Sequence, residues 1–104
     1  MRLSLAQAQA IKKIISTHVR GPIQLYLVGS RAKDHLKGGD IDLLLLCHDP
    51  ADRVYLSKKK YEILNQIMAT PEIDETKTDL IIGSPDSLKN DPFIATLDQD
   101  KVEL

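Results

Sequence analysis

Gly39-Asp40-Ile41-Asp42-Leu43-Leu44-Leu45-Leu46-Cys47 is the stretch that decides how this chain folds. Two aspartates flank Ile41, and an unbroken apolar run follows them. A run so short and continuous reads as a strand, Ile41 to Cys47, buried on both faces. Side chains two apart on a strand share a face, so Asp40 and Asp42 project together while Ile41 points into the core. Adjacent carboxylates repel unless a cation sits between them, and hard oxygen ligands of this kind suit Mg²⁺. Two such ions, about 4 Å apart, can clamp the attacking and leaving oxygens of a phosphoryl displacement.

Upstream, Ile23 to Val28 is a short apolar strand that ends at Gly29. Glycine permits close backbone approach to a phosphate. The N–H groups of a helix start and the Ser30 hydroxyl can bind phosphate oxygens. Ser30 to Leu36 reads as a short helix or a turn, and Gly38-Gly39 breaks any helix there. Arg31 stands next to the loop and can offset phosphate charge, whereas Lys33 and Lys37 read as surface charges. Downstream, Lys77 to Ile82 is a third strand, stopped by Gly83-Ser84-Pro85. An ionisable group in so apolar a strand is costly unless paired or metal-bound. Asp79 is therefore a candidate third carboxylate, either a further metal ligand or a general base for an attacking hydroxyl.

The remaining segments supply helices. Ser4 and Gln7 form a capping box; Ala8, Ile11, Ile14, Ile15 and His18 recur at helical spacing; Gly21-Pro22 stops this first helix. Asp49-Pro50 starts a second, whose apolar face is read as Tyr61, Leu64, Ile67 and Met68, and Pro71 ends it. In the tail, Phe93, Ile94 and Leu97 suggest a short helix, and Val102 to Leu104 a final extended piece. Tyr26, Tyr55 and Tyr61 read as packing residues, Cys47 as a small core residue, and Lys58 to Lys60 as a solvated helix face. His18 reads as helix packing, His35 and His48 as loop or strand-end residues. The order implies an α/β (α+β) protein, a small mixed sheet of three to four strands with helices packed against it.

The totals exclude several classes. A chain of 104 residues fits one domain, residues 1–104, and leaves no room for a separate substrate-binding domain. A formal net charge of −1 supplies no basic field for direct nucleic-acid binding. The single Cys47 rules out an internal disulfide and fits a reducing cytoplasm. No apolar run approaches a membrane span, and the N-terminus lacks an apolar signal core.

Gly29-Ser30-Arg31-Ala32 and then Asp40-Ile41-Asp42-Leu43, with nine residues between Ser30 and Asp40, resembles the nucleotidyltransferase signature. Over about Leu25 to Ile82 the chain is similar to the minimal nucleotidyltransferases of the DNA polymerase beta superfamily. These are small prokaryotic proteins, often the antitoxin paired with a HEPN-domain toxin. The resemblance implies the nucleotidyltransferase fold. It implies that Gly29, Ser30 and Arg31 hold the nucleotide, that Asp40 and Asp42 bind two Mg²⁺ ions, and that Asp79 completes the catalytic carboxylates. It further implies transfer of AMP from ATP to an acceptor hydroxyl, a tyrosine of the HEPN partner. The chain departs from the pattern at Lys33-Asp34, where many members carry glycine, and at Gly39, where serine is common.

Two rival enzymes fail on the sequence. Dehalogenase-like phosphatases carry their Asp-x-Asp after the apolar strand, whereas here the apolar run follows the acids. A Walker-type NTPase needs Gly-Lys-Ser/Thr, which is absent. The remaining rival is a binding protein that neutralises its partner by complex formation with a weak or idle site. Lack of room for an acceptor domain predicts weak activity in isolation and dependence on a partner or on self-association.

Overall fold

A computed structural model describes residues 2–33 and 39–104. The expectations placed on Asp34 to Gly38 lie outside the described residues: the turn's continuation to Leu36, the roles of Asp34, His35 and Lys37, and the glycine break at Gly38. Helix α1 spans Leu5–Ser16. Ser4 Oγ accepts the Gln7 N–H at 3.1 Å while Gln7 Oε1 accepts the Ser4 N–H at 2.9 Å, so two otherwise orphaned donors are satisfied. Strand β1 is Ile23–Val28 and β2 is Ile41–Cys47, with a single 3₁₀ turn, Gly29–Ala32, after β1. Helix α2, Pro50–Met68, starts on Asp49, whose carboxylate accepts the Ala51 N–H at 2.9 Å. Strand β3 (Thr78–Gly83), the short helices α3 (Ser87–Asn90) and α4 (Pro92–Leu97), and the two-residue strand β4 (Val102–Glu103) complete the chain.

The sheet order is β3-β2-β1-β4. β1 runs antiparallel to β2 and β4, and β2 runs parallel to β3 across the α2 crossover, so the sheet is mixed, as the sequence predicts. Alternation along β2 divides the core. Ile41, Leu43, Leu45 and Cys47 pack with Leu80 against Ile11 and Ile15 of α1 and Leu56, Ile63 and Ile67 of α2. Leu44 and Leu46 face the other way, against Tyr26, Val28 and Ile94. The five residues Leu43 to Cys47 are all buried, which is what an apolar run without alternation requires. Burial pushes the Cys47 thiol up to about 11, the nearby Asp52 charge adding to the effect. Among the described residues, no helix is long and apolar enough to cross a membrane.

One apolar assignment differs from expectation. Tyr61 is 77% exposed and lies off the buried stripe, which is Leu56, Ile63, Leu64 and Ile67. At 100° per residue, position 61 sits roughly 120° from the centre of that stripe. The short helix expected around Phe93, Ile94 and Leu97 is α4, in which Phe93 is exposed and Ile94 enters the core. Lys60 leaves the otherwise solvated lysine run and is drawn toward the sheet. The tail packs closely on Gly83. A Cβ there would stand 2.9 Å from both Ile94 Cδ1 and Ser87 Oγ, so a larger residue would make these side chains shift.

Candidate active site

The antiparallel β1–β2 pairing sets Val28 opposite Asp42. The Gly29-Ser30 turn at the end of β1 is thereby brought beside the aspartates at the start of β2. The parallel β2–β3 pairing sets Asp42 opposite Asp79, so these two carboxylates arise from neighbouring strands on one sheet face. That face also carries Leu44, Leu46 and Ile81, over which the tail helices pack. The acids occupy its uncovered end. Asp42 is half-buried and Asp40 and Asp79 are exposed.

Gly29 adopts φ +74°, and a Cβ on it would lie 2.7 Å from Asp42 Oδ2. The turn therefore requires glycine twice over, for its left-handed backbone and for its contact with the carboxylate. Desolvation by burial is the main cause that raises the Asp42 pKa above 3.8. The negative charges of Asp40 and Asp79 add to it, and Lys77 opposes them. A half-buried carboxylate between two others is an arrangement that a cation relieves, and the donors are all hard oxygens, so the residues present fit Mg²⁺. The three do not converge on a common point: among the described residues, no group of three His, Cys, Asp or Glu side chains is gathered closely enough to hold a metal ion.

Two of the three acids face lysines. Lys77 Nζ lies 3.9 Å from Asp40 Oδ2, and Lys60 Nζ lies 3.2 Å from Asp79 Oδ1, which also accepts the Leu80 N–H at 2.8 Å. Sequence reasoning missed both lysines. Lys77 is two residues before Asp79 and could have been found by strand alternation; Lys60 reaches from a helix distant in sequence, and nothing in its local spacing marks it.

Arg31 turns to the backbone. Its guanidinium donates to the Arg2 carbonyl at 2.9 Å and the Gly39 carbonyl at 3.0 Å, and the Arg2 N–H donates to the Arg31 carbonyl at 2.8 Å. It thus ties the N-terminal segment to the residue before Asp40. Lys33 pairs with Asp100 at 3.1 Å. Asp52 also escaped sequence reasoning: it is buried and accepts the Arg20 and Gly21 N–H groups, the latter at 2.7 Å, which locks the α1–β1 loop onto α2. An acid in the first turn of a helix ordinarily signals a favourable helix dipole rather than burial, so it carried no distinguishing mark.

A cleft of about 500 Å³ lies elsewhere, between α1 and the other end of β1, lined by Lys13, Ile15, Ile23, Leu25 and Leu104. It includes none of Asp40, Asp42 and Asp79.

A four-stranded mixed sheet flanked by helices, with a Gly-Ser turn and acidic strand ends gathered at one edge, defines an α+β protein of the nucleotidyltransferase fold class. The nucleotidyltransferase domain family matches residues 8–97, and the chain belongs to that family. Neither the curated proteins nor the solved structures compared give a match.

Proposed function

We propose that this chain transfers a nucleoside monophosphate, AMP from ATP, to an acceptor hydroxyl on a partner protein, and that it acts in the cytoplasm as the antitoxin of a HEPN-type toxin. The observation that carries the reading is Asp42, set between Asp40 and Asp79 and in contact with the Gly29 turn. In this reading Gly29 and Ser30 hold the triphosphate and Asp40 and Asp42 hold Mg²⁺. Asp79 either joins them as a ligand or takes the acceptor proton. When bound, Mg²⁺ offsets the charge of the phosphates and of the departing oxygen. The acceptor oxygen forms a bond to the α-phosphorus, the bond to the bridging oxygen breaks, and pyrophosphate leaves. Arg31 acts on nucleotide binding by holding the loop that carries Asp40, and its own charge lies close to the same turn. The whole chain serves as one minimal domain, with the acceptor side completed by a partner or by a second copy.

The test is to mix the protein with labelled ATP, Mg²⁺ and the toxin encoded beside it. Label should move to the toxin, and Asp40→Ala with Asp42→Ala should abolish transfer. A second reading, a binding protein with an idle site, is favoured by the engagement of Asp40 and Asp79 with lysines. It prevails if the double variant still neutralises the toxin while no label moves with the wild type.

A further inference from the structure

Lys60 belongs to α2, which packs on the sheet face carrying Ile41, Leu43 and Leu80. Asp79 alternates to the opposite face, with Ile81. The two meet because β3 is an outer strand and its edge is open. Asp79 bends along that edge, where Oδ1 accepts the Leu80 N–H at 2.8 Å and lies 3.2 Å from Lys60 Nζ. The Lys60 side chain is 28% exposed, against 49% for Lys59 and 80% for Lys77, so it lies along the protein rather than in water. The carboxylate opposite Asp42 is thus turned toward the rim of the sheet, and the three acids do not close on one point.

We propose that Lys60 is a positioning residue that holds Asp79 in a withdrawn setting, so that the third carboxylate joins Asp40 and Asp42 only when the Lys60–Asp79 pair is broken. The inference rests on the metal-site reading above. Its chemistry is competition: the ammonium group and a divalent cation are alternative partners of the same carboxylate. With a cation held by Asp40 and Asp42, Asp79 would have a second partner to choose, and Lys60, once released, would supply a positive charge for a polyanionic substrate. A purely structural role would be to block the open edge of β3 against strand pairing, which a charged side chain there also does.

Mn²⁺ affinity, measured as the loss of free-ion paramagnetic resonance signal, separates these roles. Lys60→Met should bind Mn²⁺ about fivefold more tightly than wild type, the range of a partly exposed ion pair. Lys60→Arg, which keeps the pair, should match wild type, and Lys59→Met should change nothing. Adding Asp79→Asn to Lys60→Met should erase the gain, which assigns it to Asp79 rather than to general charge. Lys60→Gln serves where the Met variant fails to fold. Equal or weaker Mn²⁺ binding by folded Lys60→Met or Lys60→Gln, or a gain that survives Asp79→Asn, overturns the proposal. In that case, loss of binding in Asp40→Asn and Asp42→Asn leaves the metal site standing. Absence of Mn²⁺ binding in every variant overturns both.

Discussion

Asp42 reaches back across the β1–β2 boundary to Gly29, its Oδ2 standing 2.7 Å from the point that a Cβ on that glycine would occupy. The carboxylate and the turn therefore fix one another: a side chain at position 29 displaces Asp42, and a backbone shift at Gly29 opens a gap behind it.

Gly29→Ala should accordingly damage both stability and site. The left-handed φ of +74° disfavours any L side chain, and the carboxylate blocks the space it needs. The expected loss is about 2 kcal/mol, read as a fall of roughly 10 °C in thermal midpoint for a domain of this size. Ser30→Ala, with neither constraint, should leave the midpoint close to wild type.

Asp42→Asn should stabilise the protein at neutral pH. The folded chain holds a proton on Asp42 more tightly than the unfolded chain does, because desolvation and then Asp40 and Asp79 raise its pKa above 3.8. The carboxylate therefore destabilises the fold as pH rises through the raised value, and this penalty is absent below the unfolded one. Thermal midpoints of wild type and Asp42→Asn should converge in acid and separate toward neutrality, the variant being higher. Mg²⁺ should raise the wild-type midpoint and leave that of the variant unmoved.

Arg31→Ala should act through the backbone it ties. Losing charge-assisted bonds to the Arg2 and Gly39 carbonyls should cost about 2 kcal/mol, measured by denaturant titration. Arg31→Lys cannot span both carbonyls as a planar guanidinium does and should recover less than half of it. A rise in KM for ATP with unchanged stability would instead assign Arg31 to the nucleotide alone.

Asp52→Ala should destabilise strongly without altering transfer chemistry. It strands the Arg20 and Gly21 N–H groups beside α2, a loss of about 3 kcal/mol. Below the variant's melting range, its KM for ATP should equal that of wild type.

Cys47 should be silent to thiol reagents while the protein is folded. It is buried at the end of β2 and its pKa is pushed up to about 11, so thiolate is scarce and shielded at pH 8. Its labelling rate should follow global unfolding, and a fast native reaction would refute the packing of β2 described above.

The sequence made β2 legible because burial on both faces leaves no room for polar alternation, and it made Gly29-Ser30 legible because a turn after an apolar strand has few alternatives. The helix caps at Ser4 and Asp49 were equally plain, since capping is a local interaction. Residues whose state is decided across the fold were not. Tyr61 shares helical spacing with Leu64, yet the stripe is centred elsewhere by where α2 meets the sheet. Asp52 is buried because an adjoining loop brings it backbone donors. Lys60 finds Asp79 only because β3 turns out to be an outer strand. The alternation of Asp40 and Asp42 could be read directly; the partners that restrain Asp40 and Asp79 are tertiary.

The tail helices insulate one end of a sheet face and leave the other wet. Along that face of β2, Leu46 and Leu44 are fully buried, Asp42 is half-buried and Asp40 is exposed. A single strand thus spans a gradient of permittivity, from oil-like interior to bulk water, within a few residues. An anion seated beside Asp42 would lie on that boundary, its field screened on the open side and carried almost undiminished on the other, into the strand that holds the carboxylate.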